Sequence, residues 1–349
     1  MVLGAGGVLG GAWMAGGLAA IARETGWDPF TADYIVGTSA GALFAALTAG
    51  HVELDRMVPP RLAPLAGIKS PRDWLLDELA SEGAYLPRRV PRPLPGSWGL
   101  AVSGLRDRTG LSLLKALSGL APQGLVSTEP IERCVERGVG RLTPAGWVSH
   151  GNTWIVACDY QSGERVVFGR EGGPVAPLPK AVAASCAIPG FFQPVRVGDR
   201  LYVDGGLHSM SNLDLLEEEE LDLVVILSPL SSREARRSWN PVDQVAATLR
   251  RLAAWQLDRE AARLIDRGTH VMVLEPLAED LEAMGSNVMD ARRSIDVAEV
   301  ALSSFAEQLA QPEISALCEL LPRTSASRRR AGKLTALLRR AGMAAAAAV

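Results

Sequence analysis

The stretch Ile35-Val36-Gly37-Thr38-Ser39-Ala40-Gly41-Ala42-Leu43 constrains this chain more than any other. It reads as a short apolar strand, a Gly-Xaa-Ser-Xaa-Gly turn and the start of a helix whose apolar residues include Leu43, Phe44 and Leu47. A serine in such a turn sits at the tip of a sharp strand-to-helix bend with little bulk around it. Gly37 and Gly41 leave room for the tight backbone and for close approach of neighbouring chain. The helix points its amino end, with unpaired N–H groups and partial positive charge, at the same spot. Negative charge developing there is stabilised. An ordinary Gly/Ser turn is the competing reading of the five residues alone, and the flanking strand and helix favour the chemical one.

A second glycine cluster precedes it. Met1-Val2-Leu3 looks like the end of a strand, Gly4-Ala5-Gly6-Gly7-Val8-Leu9-Gly10-Gly11 follows at once, and Trp13, Met14, Leu18 and Ile21 then mark a helix. A glycine loop between strand and helix exposes successive N–H groups, a ready anion site. Two uses compete. A Gly-Xaa-Gly-Xaa-Xaa-Gly dinucleotide fingerprint read from Gly4 puts Leu9 at its third glycine, and read from Gly7 and Gly10 puts Ala5 at its first, so neither frame is complete. The other use is an oxyanion hole for the serine that arrives about thirty residues later.

Strand and helix signals alternate through the remainder. Thr153–Asp159 and Glu164–Phe168 read as a strand pair around Gln161-Ser162-Gly163. Ser127-Thr128-Glu129-Pro130 is a helix start, and Ala181–Ala187 is a short helix leading to the stiff corner Ile188-Pro189-Gly190-Phe191-Phe192. Leu201-Tyr202-Val203 is a strand ending in Asp204-Gly205-Gly206. Leu223–Leu227 is an apolar run suited to a buried parallel strand. A helix over Pro241–Gly268, a strand at His270–Leu274 and a helix over Arg292–Leu309 complete the pattern. Such alternation predicts an α/β layered fold with a mostly parallel sheet.

Two segments differ in character. Residues 58–126 are rich in proline, arginine and leucine, with Trp74 and Trp98 among them, and read as a cap inserted into a domain spanning 1–310. Residues 311–349 form a helical, basic tail carrying Arg328-Arg329-Arg330, Lys333 and Arg339-Arg340 beside Leu334, Leu337 and Leu338. The apolar side of the cap and the basic tail are two candidate points of peripheral membrane contact.

Composition narrows the class. With 48% apolar residues among 349 a sizeable core is available, and a net charge of −3 gives no global sign of a nucleic-acid partner. Cys134, Cys158, Cys186 and Cys318 lie far apart and read as free thiols of a reduced compartment. Residues 1–22 hold seven glycines and no basic leader, and no apolar run approaches the roughly 20 residues that span a bilayer. The expected location is cytoplasmic, with peripheral contact to membrane. Glu217–Glu220 reads as a solvated turn, and no metal site is expected.

A serine nucleophile needs a base and donors for its oxyanion. The chain has four histidines, His51, His150, His208 and His270, and only His208, four residues past Asp204, stands near a candidate site. A partly desolvated carboxylate can serve instead. Asp204 follows an apolar strand, which predicts a place at the carboxyl edge of the sheet beside Ser39, with Gly205 and Gly206 keeping its surroundings uncrowded.

The glycine loop 4–11, Gly37-Thr38-Ser39-Ala40-Gly41 and Asp204-Gly205-Gly206 together resemble the patatin-like phospholipases in order and spacing. Ala184-Ser185 through Ala187-Ile188-Pro189, Phe191-Phe192, Pro194-Val195 and the strand pair carrying Asp159 and Gly163-Glu164 extend the resemblance. It implies a three-layer α/β/α fold that hydrolyses acyl esters of lipids with a Ser-Asp dyad, without metal or cofactor. Ser39 would match the nucleophile, Asp204 the base, and Gly6, Gly7 and Val8 the oxyanion loop. Leu9 stands where that family usually has Arg or Lys, and Ala5 where it has glycine; backbone donors survive both changes. Three alternatives remain: a Ser-His-Asp α/β-hydrolase esterase using His270, a non-catalytic lipid-binding protein of the same fold, and a nucleotide-binding module.

Overall fold

The computed structural model describes residues 1–57, 95–106, 111–139, 142–233 and 240–323. The chain opens with β1 (Val2–Leu3), α1 (Gly7–Thr25), β2 (Ile35–Thr38), α2 (Ala40–Ala49) and the single turn α3 (Leu54–Met57). After them come α4 (Trp98–Arg106), α5 (Ser112–Leu120), α6 (Glu129–Val139), β3 (Thr153–Asp159) and β4 (Arg165–Phe168). α7 (Leu178–Ser185), β5 (Val195–Val197), β6 (Arg200–Asp204) and β7 (Leu223–Leu227) follow, then α8 (Pro241–Asp266), β8 (His270–Leu274), α9 (Ala278–Met284), α10 (Ser294–Ala310) and α11 (Pro312–Cys318).

All the described strands join one sheet. β8, β7, β1, β2 and β3 lie side by side and parallel, as continuous apolar runs connected through helices require. β4 and β6 both pair with β3 antiparallel, and β5 pairs antiparallel with β6.

The period-two alternation of strand side chains divides the core in two. Leu3, Ile35, Ile155, Val225 and Leu227 face a layer containing Trp13, Met14 and Leu18 of α1, Phe44 of α2 and Phe305 of α10. Val2, Val36, Val156, Val224 and Ile226 face the other way, onto Leu257, Ala261 and Leu264 of α8. Helices on both faces of a mostly parallel sheet make this the three-layer α/β/α fold expected from the sequence.

Helix ends follow local chemistry. Gly26 closes α1 in the left-handed conformation, and the Ser127 hydroxyl accepts the Glu129 N–H at the start of α6. α7 begins three residues before the expected Ala181, because Pro179 in its first turn lacks only an N–H that has no helical partner there.

Of the expected cap, residues 58–94 and 107–110, with Trp74, lie outside the described residues; the rest contains the paired helices α4 and α5. Of the expected tail, α11 packs on α10 and Arg323 bridges to Trp27, while residues 324–349 lie outside the described residues.

Phe305 is fully buried, with its ring centroid 4.5 Å from that of Trp13. Truncation there leaves a cavity between α1 and α10. Phe305→Ala should lower unfolding free energy by about 3–5 kcal/mol in urea titration, and a loss under about 1 kcal/mol would contradict this packing.

Candidate active site

The turn at Ser39 is sharp because its neighbours allow nothing else. A Cβ on Gly41 would lie 1.9 Å from the Leu3 carbonyl oxygen, and one on Gly37 would lie 2.5 Å from that of Gly41. α2 can therefore start hard against the end of β1 only with glycine at these places. Ser39 itself takes φ 55° and ψ −123°, a region that non-glycine residues avoid. Such strain persists only when the surroundings over-determine it. Here the Ser39 N–H donates to the Ser185 hydroxyl at 2.9 Å, and that hydroxyl donates to the Val156 carbonyl at 2.6 Å. The Cys186 thiol donates to the Ser39 carbonyl at 3.2 Å.

Asp204 reaches Ser39 by a different route from the expected one. β6 runs antiparallel to β3, so its carboxyl end points back into the sheet and not out of the edge shared by the parallel strands. A strand residue has two lateral neighbours. Val156 has Thr38 and Val167, and Ala157 has Val166 and Asp204. β2 and β6 thus share the flank of β3 opposite β4, with their carboxyl ends abutting. The Ser39 side chain lies against the Asp204 carboxyl group, near enough to favour its charged form. Asp204 is also held by its N–H, which donates to the Ala187 carbonyl at 3.0 Å, and by Oδ1, which accepts the Gly206 N–H at 2.8 Å. Burial raises its pKa from 3.8 to about 6, against the opposing pull of the Ser39 side chain and the Gly206 hydrogen bond.

The glycine loop completes the group. Leu3 pairs with Gly37, so the loop leaves the sheet beside the Ser39 turn. A Cβ on Gly206 would lie 3.5 Å from that of Ala5, which brings the same loop against the turn after Asp204. The Ala5 N–H donates to the Met210 carbonyl, that of Leu9 to Val288 and that of Gly10 to Gly6. Between them the N–H groups of Gly6, Gly7 and Val8 have no acceptor among the described residues. Gly7, at φ 61°, takes the left-handed conformation that anion nests use. Leu9 is fully buried, so the position contributes packing and no charge.

The patatin-like phospholipase family model matches residues 1–216, which carry the loop, Ser39 and Asp204. The chain belongs to the patatin-like phospholipase family. Membership supports lipid acyl hydrolase activity in general, with lipid as the substrate class. Among the described residues no helix is long and apolar enough to cross a membrane.

The histidines of this patatin-like protein are spread out. His270 is exposed and opens β8 opposite Leu223, at the amino edge of the parallel strands, whereas Ser39 follows the carboxyl end of β2. His150 bonds Thr153 and the Ala32 carbonyl, and His51 lies against Phe30. His208 donates its N–H to the Gly205 carbonyl and accepts Gln256 Nε2 at its own carbonyl, while its side chain acts electrostatically on Asp214.

Behind the site stands a network that the sequence reading did not single out. Asn212, left-handed at φ 52°, donates from Nδ2 to the Thr38 hydroxyl at 3.1 Å and to the Ser209 carbonyl at 2.6 Å. Glu260 of α8 is buried and accepts the Ser211 hydroxyl and the Leu213 N–H, with burial pushing its pKa up. Arg165 of β4 clamps Asp214 through both guanidinium nitrogens at 2.6 and 2.8 Å. The run Ser209-Met210-Ser211-Asn212, small and polar directly after a strand and turn, was the only local sign of it.

Two outcomes follow from this geometry. Ser185→Ala strands the Ser39 N–H and the Val156 carbonyl in a dry site, and should cost about 1–3 kcal/mol in denaturant unfolding; an unchanged midpoint would contradict the strut. Asp204 binds its proton more tightly in the folded chain. Its contribution to stability is therefore favourable at low pH and lost as pH rises from 3.8 through about 6. Asp204→Asn should flatten that dependence by up to ~3 kcal/mol across the window, read as the difference between the two stability–pH curves.

Proposed function

We propose that the protein is a serine acyl hydrolase of the phospholipase A or lysophospholipase type, cleaving acyl esters of lipids through Ser39 and Asp204. The observation that carries the reading is the meeting of the β2 and β6 ends at consecutive positions of β3, which sets the Ser39 side chain against a buried carboxyl group whose pKa stands at about 6. An ordinary carboxylate is too weak a base for a hydroxyl, and burial shifts Asp204 toward the working pH, where general bases are most effective.

The cycle follows from the arrangement. Ionised Asp204 takes the Ser39 proton as Oγ attacks the ester carbonyl. The resulting oxyanion is received by the N–H groups of Gly6, Gly7 and Val8, each such donor being worth about 3 kcal/mol of barrier in comparable sites. Protonated Asp204 then gives its proton to the departing alcohol, leaving an acyl group on Ser39. Water, deprotonated by Asp204, attacks the acyl carbonyl and regenerates the serine. Gly37 and Gly41 hold the turn, and the Gly206 N–H holds the carboxylate. A Ser-His-Asp mechanism through His270 draws no support from a residue at the opposite edge of the sheet.

Against a panel of phospholipids, lysolipids, glycerides and short esters, Ser39→Ala and Asp204→Ala should each lower kcat by about 10⁴-fold or more with the fold intact by circular dichroism. His270→Ala should match wild type, and the wild-type rate should climb with pH through about 6 as Asp204 ionises. Substantial turnover in either dyad variant, or loss of turnover in His270→Ala, would overturn the assignment.

A further inference from the structure

The described part of the cap leaves apolar side chains in water. On α4, Trp98 is 66% exposed, Val102 39% and Leu105 77%, at spacings of four and three that place them on one helix face. On α5, Leu113 is 67% exposed, Leu117 55% and Leu120 42%, at the same spacings. The two helices pack on each other through Gly104 against Ala116 and Gly119 against Ala101, so these stripes are left over from the helix–helix contact. Soluble proteins rarely leave such contiguous apolar surface without an occupant.

The face is continuous with the site. The N–H groups of Leu125 and Val126, just past α5, donate to the Phe191 carbonyl. Phe191 and Ile188 are themselves 47% and 38% exposed. Their corner springs from Cys186 and Ala187, the residues that hold the Ser39 carbonyl and the Asp204 N–H. α5 also packs on the turn Gly205–Leu207 after Asp204.

Charge points to the occupant. Described residues 95–106 and 111–126 carry the exposed Arg106, the buried Lys115 and no carboxylate, and 186–195 carry no charge, although the whole chain is net −3. A face whose described residues bear no carboxylate, apolar and edged by an exposed arginine, suits an anionic lipid surface. An indole at its margin suits the boundary between head groups and acyl chains.

We propose that α4, α5 and the Ile188–Phe191 corner dock on anionic bilayers and present the Ser39–Asp204 site to lipid in the surface. The proposal rests on the lipid acyl hydrolase reading, because a substrate held in a bilayer is what gives the face its occupant. Docking brings the site to the lipid, so it acts on interfacial turnover and leaves the chemistry on dissolved esters unchanged.

The test uses the full chain and the triple variant Trp98→Ser, Leu105→Ser, Leu113→Ser, all at exposed positions. Flotation is measured with phosphatidylcholine vesicles, with and without phosphatidylglycerol, beside turnover of a water-soluble short-chain ester. Wild type should float with the phosphatidylglycerol vesicles, and the triple variant should lose about tenfold or more of the bound fraction while hydrolysing the soluble ester at the wild-type rate. Equal flotation of the two proteins would overturn the proposal. So would a wild type that ignores vesicles and sediments as a dimer which the triple variant dissociates, since the face would then belong to a second copy. A wild type that floats yet hydrolyses no ester would refute the hydrolase reading and keep the docking face.

Discussion

The contact between the Ser39 hydroxyl and the buried Asp204 carboxyl group depends on β3 serving as a common rail for two strands. β2 runs along its flank and stops opposite Val156; β6 enters from the other end and stops opposite Ala157. Two chain ends distant in sequence are thereby fixed at consecutive rungs. The precision comes from backbone pairing, the stiffest element a domain has, and not from loop packing. The glycine loop is tied to the same frame through the pairing of Leu3 with Gly37.

Each part of the site is held in an unfavourable state by something adjacent. The backbone of Ser39 is strained, and Ser185 and Cys186 hold both of its peptide groups. The Asp204 carboxylate is desolvated, and the Gly206 hydrogen bond and the Ser39 side chain limit the penalty without removing it. Three donors of the glycine loop have no acceptor among the described residues, while their neighbours on both sides are paired. A fold that stores strain, a raised pKa and orphan donors within one small volume has spent stability there. The dense alanine- and glycine-rich packing of α1 and α2 supplies stability nearby.

Legibility from sequence varied with the range of the interactions involved. The strand–turn–helix at 35–43 was legible because its signal is local: β-branched residues, two glycines around a serine, then apolar residues at helical spacing. The layered architecture was legible because strands and helices alternate. The direction of β6 was not, since periodicity reveals that a segment is extended but not which way its neighbour runs. Asp204 was accordingly expected beside Ser39 for the wrong geometric reason. Ser185 lay within a recognised block, yet its bond to Ser39 spans 146 residues and nothing in an alanine-rich helix announces it. Glu260 was hidden for the same reason, inside a long helix that reads as exposed and charged. The apolar stripes of α4 and α5 fall in the segment expected to be a cap, but their neighbourhood to the Phe191 corner required the fold.

The account stands on one arrangement: a serine oxygen, a carboxylate behind it and three amides around the space in front. A crystal structure of the protein reacted with an organophosphonate ester tests it most directly, because the bound group mimics the tetrahedral intermediate in charge and shape. The account predicts phosphorus on Ser39 Oγ, its phosphoryl oxygen within hydrogen-bond distance of the N–H groups of Gly6, Gly7 and Val8, and Asp204 beside the bridging oxygen. Phosphorus on another residue, or a phosphoryl oxygen turned away from the glycine loop, would contradict it.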